Sequence, residues 1–425
     1  MTGLRVEHLG APLVVVLDYL ALSWFPALAA MTGHPEAAFR VGTVLFIAAN
    51  ASVLLLGARP LGPGVRGLVA AAFARLPAAR PLRWIVFAAG VLAAVVYRLS
   101  AIARTPLDPR MADMLPLIAA ASQRLLAGVN PYEPSGLVPP ARPDVWAPYV
   151  PAWLPGLWLP YVPAVWAGFD LRLVGLVAAL LTATLLGVAR WSAAGQGDPA
   201  SEAGAVAWPR LATAGALLLA PAAVWFGAIG HTQTYWLYLV ALVWALARRW
   251  WALAGACLGL TIMSRHTVLP LVPLVALYAW RCLPPRARVT LAVAAALVVV
   301  ALTLPFGLQG LWQFTIGSPR WYMKFGDQGW NGPRWWVTHT FGLSSFLYPL
   351  GLSRAIPWVG AALLLSVYGL AYRGLRDLAS CTRYVALTLL VVTVSVPTPF
   401  RYEFFPIALV LSTLPLLAGG TAERA

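Results

Sequence analysis

The sequence predicts an all-α polytopic membrane protein, with about twelve transmembrane helices and a juxtamembrane helix in a loop on the outer face. Three observations carry this. Of 425 residues, 60% are hydrophobic and only 10% are charged, whereas soluble domains carry about 25% charged residues. The mean hydropathy is +0.77. Apolar stretches close to the roughly 20 residues that cross a bilayer recur along the chain, separated by arginine-rich connections. A soluble enzyme, a disulfide scaffold and a disordered chain are excluded by this composition.

Taken in order, the apolar stretches are 13–31, 37–57, 84–103, 171–191, 211–229, 234–247, 252–264, 267–280, 289–306, 355–372, 384–396 and 403–417. The 252–264 and 267–280 pair is short and broken at Arg265-His266. The whole chain, 1–425, reads as one integral-membrane domain with a core module over 84–280. The stretch 146–169 is apolar but holds Pro148, Pro151, Pro155, Pro160 and Pro163, which argues for juxtamembrane or re-entrant structure over a regular helix. Arg59, Arg66, Arg75, Arg80 and Arg83 form a connection without acids. Arg248-Arg249, Arg281, Arg286, Arg288, Arg373 and Arg376 flank other helices. Placing these inside puts both termini in the cytoplasm and the loops 104–170 and 307–354 outside. The expected location is the inner (plasma) membrane, with function on the extracytoplasmic face.

The formal charge of +16 fits cytoplasmic loops touching anionic lipid, with no nucleic-acid partner. Cys257, Cys282 and Cys381 lack metal-ligand spacing. The first apolar stretch resembles a signal peptide but contains Asp18, and reads as an uncleaved span. Gly62-Pro-Gly-Val-Arg-Gly67 matches a dinucleotide fingerprint but lacks the strand–helix setting such a site needs. Gly255 and Gly259 suit a close helix crossing.

Chemistry concentrates between Asp108 and Tyr132. Leu117, Ile118, Ala121, Leu125 and Ala127 follow a helical period, so an amphipathic helix on the membrane surface is expected. Gly128 ends it, and Asn130-Pro131 turns the chain. Asp113 then stands at the helix start, either as a helix cap or as a catalytic acid at the lipid–water boundary.

An acid beyond an early span, a surface helix, Gly128-x-Asn130-Pro131-Tyr132 and a Pro/Trp-rich stretch resemble the type C integral-membrane glycosyltransferases (GT-C), in particular the polyprenyl-phosphate-mannose-dependent mannosyltransferase branch. Gly230-His231-Thr232-Gln233 and Ala254-Gly255-x-x-x-Gly259-Leu260 agree with it. Arg265-His266 stand where that family usually has Lys. The resemblance covers roughly residues 104–278.

It implies inverting transfer of a hexose, mannose first, from a polyprenyl-phosphate sugar to a glycan or glycolipid acceptor, with Asp113 as general base. Asn130, Tyr132, His231 and Gln233 are expected at the substrates. The departing phosphate needs cations, for which Arg265, His266, Arg320, Lys324, Arg334 and Arg401 are candidates. The loop 307–354 interleaves Lys324 and Arg334 with Trp312, Trp321, Tyr322, Trp330, Trp335 and Trp336, a pattern of an interfacial belt or a sugar-stacking surface. An internal Arg401–Glu403 pair and a protein carboxylate facing Arg265 are the alternative readings of those cations. No Asp-x-Asp pair is present, so no cofactor or metal is expected from the motifs. The rival function is a transporter or lipid flippase, which should show internal repeats and midplane polar residues. No repeat is found.

Overall fold

The computed structural model describes residues 16–17, 31, 35–56, 80–108, 112, 114–132, 153–189, 191, 207–312, 341–396 and 401–417. Among these residues the chain is all-helical, with no strand. It begins with α1 (Pro35–Leu56), α2 (Arg80–Arg104) and α3 (Met114–Leu126). Two short helices follow, α4 (Pro155–Trp158) and α5 (Val162–Trp166), joined by a 3-10 turn. Next come α6 (Arg172–Gly187), α7 (Ala207–Leu219), α8 (Pro221–Ile229), α9 (Thr234–Ala247) and α10 (Trp251–Ile262). A 3-10 segment, His266–Leu271, leads into α11 (Val272–Cys282), and α12 (Pro285–Thr303) and α13 (Gly307–Trp312) continue. The last part comprises α14 (Ser344–Leu347), α15 (Ile356–Gly374), α16 (Leu378–Ser395), a 3-10 turn Arg401–Phe404, α17 (Phe405–Leu411) and α18 (Leu414–Leu417).

Four helical stretches among the described residues are long and apolar enough to cross a bilayer: Trp84–Arg104, Pro285–Phe306, Ser353–Gly374 and Leu378–Ser395. Proline and turn residues divide three of the other expected spans. Pro221 divides 211–229 into α7 and α8. Pro270 and Pro273 make 267–280 a 3-10 turn followed by α11. The stretch 403–417 is three short pieces. Of the expected first span, only Val16, Leu17 and Met31 fall within the described residues.

The core gathers around α9, which buries Tyr235, Trp236, Leu239, Val240, Leu242, Val243, Ala245 and Leu246, and around α17, every residue of which is buried. Trp236 stacks on Phe405 at 5.6 Å and 12° between these two helices. By contrast, α2 and α12 turn Leu92, Val96, Leu99, Val293, Leu297 and Val300 outward. Outward apolar residues suit a lipid solvent, in which a helix already satisfies its own backbone. The glycine pair works as a crossing point: a Cβ on Gly259 would lie 2.7 Å from Val298 Cβ, and one on Gly255 would strike the Leu291 carbonyl. Small residues there let α10 and α12 touch backbone to side chain.

α3 ends as the sequence predicts. Gly128 adopts φ 75°, its N–H donates to Leu125 O at 2.9 Å, and Val129 N–H donates to Arg124 O at 2.9 Å. This pair of bonds with a left-handed glycine is a Schellman end. Met114, Leu115, Leu117, Ile118 and Ala121 are buried, while Gln123 and Leu126 to Val129 are exposed.

Candidate functional site

Three sequence motifs far apart in the chain meet at the first turn of α3. Leu115 N–H donates to the Gly230 carbonyl at 3.1 Å. Gly230 ends α8 with φ 112°, a left-handed conformation that glycine adopts without strain. His231 follows; its N–H donates to Phe226 O at 2.8 Å, and its Nδ1 lies 3.2 Å from Met114 Sδ. The Arg265 Nη2 group donates to the same sulfur at 3.7 Å. Met114 thus sits between the imidazole and the guanidinium, and Asp113, its neighbour in sequence, lies outside the described residues.

Arg265 is extended, at φ −142° and ψ 141°, between α10 and the 3-10 segment. This break in the helix frees its side chain to turn inward, where it is 7% exposed. Nη1 lies 3.4 Å from Glu403 Oε1, and the guanidinium stands 5.2 Å over the Tyr235 ring. Of the alternatives open for Arg265, a protein carboxylate is therefore present, and it comes from the residue that the sequence pairs with Arg401. Arg401 opens the 3-10 turn Arg401–Phe404, and its side chain lies outside what is described, as do Lys324 and Arg334 with the rest of 313–340. Trp312 is exposed at the end of α13. His266 is half-buried at the start of the 3-10 segment.

His231 stands in the connection between α8 and α9. Burial, and then the neighbouring Arg265 charge, push its imidazole down to about 3, so it is neutral at physiological pH. A neutral imidazole offers one donor and one acceptor.

The other motif residues use their polar atoms within the protein. Gln233 is 2% exposed; its Nε2 donates to Ala223 O at 2.6 Å, and its Oε1 accepts from Arg98 Nη1 at 3.5 Å. Asn130 accepts from Tyr132 N–H at 3.0 Å and donates to Phe306 O at 3.2 Å. Tyr132 is 1% exposed; its hydroxyl donates to Trp153 O at 2.7 Å and accepts from Trp158 Nε1 at 2.9 Å. These two residues fasten the loop after α3 to the end of α12 and to the start of the Pro/Trp-rich stretch. The described part of that stretch, 153–169, forms the short α4 and α5, and Gly156 N–H donates to Met263 O at 2.7 Å. A Cβ on Gly156 would lie 2.9 Å from Leu260 O, so glycine allows this seating on the end of α10.

Two functional candidates escaped the sequence reading. Arg172 is held by Asp170 through Nε at 2.9 Å and Nη2 at 2.6 Å, and its Nη1 donates to Thr105 O and Ala228 O. Burial would raise the Asp170 carboxyl, but the bonds and charge of Arg172 outweigh it and hold the carboxyl below the usual carboxylate range. Arg98, in the last third of α2, is 5% exposed and donates through Nε to Leu218 O at 2.9 Å. The signal for Arg98 was a charge inside an apolar run, which is costly in lipid.

Among the described residues, no three His, Cys, Asp or Glu side chains converge as a metal ion would require. No family model, no curated protein and no solved structure matches this chain.

Proposed function

We propose that this chain is an integral-membrane glycosyltransferase of about twelve spans in the plasma membrane. It moves a hexose, mannose in first place, from a polyprenyl-phosphate donor to a glycan or glycolipid acceptor on the extracytoplasmic side. The observation that supports this reading is the meeting at Met114: the residue after Asp113 touches both His231 and Arg265. An acid, a neutral imidazole and a guanidinium drawn from distant parts of the chain make a reasonable set for transfer from a phosphate leaving group.

In this reading Asp113 takes the proton of the acceptor hydroxyl as its oxygen attacks the anomeric carbon. The bond from that carbon to the phosphate oxygen breaks, polyprenyl phosphate leaves, and the anomeric configuration inverts. His231 orients a substrate hydroxyl. Arg265, tuned by Glu403 and Tyr235, faces the developing phosphate charge; Lys324, Arg334 and Arg401 are its further candidates.

The test is a transfer assay in liposomes with a labelled polyprenyl-phosphate sugar. Asp113→Asn should insert and fold normally while losing about 100- to 10,000-fold in rate. Asp108→Asn, in the same loop, is the control and should stay active. Turnover by Asp113→Asn at the wild-type rate would remove the base from the mechanism.

A further inference from the structure

A narrow crevice opens between α2, α6 and α8, lined by Arg98, Arg172, Gly175, Gly227, His231 and Gln233 among others. Its charges do not balance. Arg172 faces Asp170 at 2.6 Å and His231 is neutral, while Arg98 meets only neutral oxygens, those of Leu218 and Gln233. Among the described residues no carboxylate pairs with Arg98, and its Nη2 donates to none of them. A buried guanidinium without a counter-charge carries a large desolvation cost. A ligand that brings one negative charge and two oxygens removes that cost and fills the unused edge of the guanidinium fork.

We propose that this crevice is a binding site for a singly charged phosphodiester, seated on Arg98. One net positive charge matches one negative charge; a doubly charged phosphate would leave an uncompensated charge in the apolar bundle. The depth suits a lipid headgroup. Arg98 lies six residues before the end of α2, about 9 Å along the helix axis. The α6 wall gives room, since a Cβ on Gly175 meets nothing within 4 Å. A membrane phospholipid and a polyprenyl-phosphate sugar both present this group at the end of apolar chains. The proposal rests on the charge count and the crevice, and it does not require that sugar transfer take place.

The experiment uses the full chain in neutral detergent and native mass spectrometry with four probes: phosphatidylglycerol, a polyprenyl-phosphate sugar, diacylglycerol and oleate. The two phosphodiesters should bind about 10- to 100-fold more tightly than the other two, the range of a charge-assisted hydrogen bond. The tighter of the two names the natural occupant. Arg98→Gln should abolish the preference. Gly175→Leu, which fills the crevice and leaves the Arg98 bonds in place, should abolish it as well and keeps the test valid if Arg98→Gln does not fold. Equal binding of phosphodiesters and diacylglycerol by the wild type, or a preference that survives Gly175→Leu, overturns the site. Oleate binding as tightly as the phosphodiesters overturns the ligand class. A protein that passes this test but transfers no sugar keeps the site and loses the proposed function.

Discussion

Arg265 and Arg98 are both almost fully buried, and both stand in apolar surroundings. They differ in what faces them. Arg265 has a carboxylate at 3.4 Å, a tyrosine face and a thioether, whereas Arg98 has a backbone carbonyl and an amide oxygen. In the first region a protein carboxylate already faces the cation. In the second, no carboxylate among the described residues faces the guanidinium. Burial alone thus says little about a charged residue's role, and the sign of its neighbours decides it.

Four measurements test this contrast. The largest effect belongs to Glu403→Gln. It removes the carboxylate that faces the Arg265 guanidinium and should cost about 3–5 kcal/mol of unfolding free energy in detergent. The double variant Arg265→Met with Glu403→Gln should regain most of that loss. Additive losses in the double variant would show that the two side chains act separately.

Asp170→Asn should cost less, about 1–3 kcal/mol, because its carboxylate is 31% exposed and water screens what remains. Arg172 keeps its bonds to Thr105 O and Ala228 O in this variant. The same unfolding measurement checks it, and a cost equal to that of Glu403→Gln would erase the difference between a closed and a half-open pair.

The third test is pH. An imidazole held at about 3 in the fold and near 6.5 when unfolded binds fewer protons in the native state between those values. Stability is therefore lost as pH falls through that window. The wild type should melt at a lower temperature at pH 5 than at pH 7. His231→Gln should shrink that gap without closing it, since burial and the Arg265 charge also hold the His266 imidazole down to about 4. An unchanged gap would mean that His231 accepts a proton in the folded protein.

The smallest effect is expected for Arg98→Gln in lipid-free detergent, within about 1 kcal/mol of the wild type. Two hydrogen bonds are weakened, and the cost of burying an uncompensated charge is removed. A loss as large as that of Glu403→Gln would reveal a protein counter-charge for Arg98 and close the second region too.

Much of the architecture was legible from local chemistry. The stretch 234–247 coincides with α9 because it is apolar, free of Gly and Pro, and opened by the turn after Gly230. Gly128 ends α3 because a residue with no Cβ suits φ 75°. Of the five prolines in 146–169, Pro155 and Pro163 each open a short helix in place of one regular helix over the described residues 153–169. Span lengths were less legible. Average hydropathy does not see where a proline removes a donor, so 211–229 and 267–280 read as single helices and fold as two pieces each.

An all-helical architecture among the described residues, an apolar composition, several helix ends and the motif that begins at Asp108 are legible in the one-dimensional pattern. Those are properties of neighbours in the chain: hydropathy runs, glycine and proline geometry, helical period. Which residues become partners was settled by packing. Glu403 stands two residues from Arg401 in sequence, yet it meets Arg265 because α17 packs beside α9 and carries the preceding turn to the end of α10. Asn130, Tyr132 and Gln233 carry the look of binding residues, but packing gives their polar atoms to the protein itself. Arg98 looks like an ordinary interruption of an apolar run until α2, α6 and α8 close around it with no carboxylate among the described residues. Charge compensation is a property of three-dimensional neighbours, and a one-dimensional pattern does not contain it.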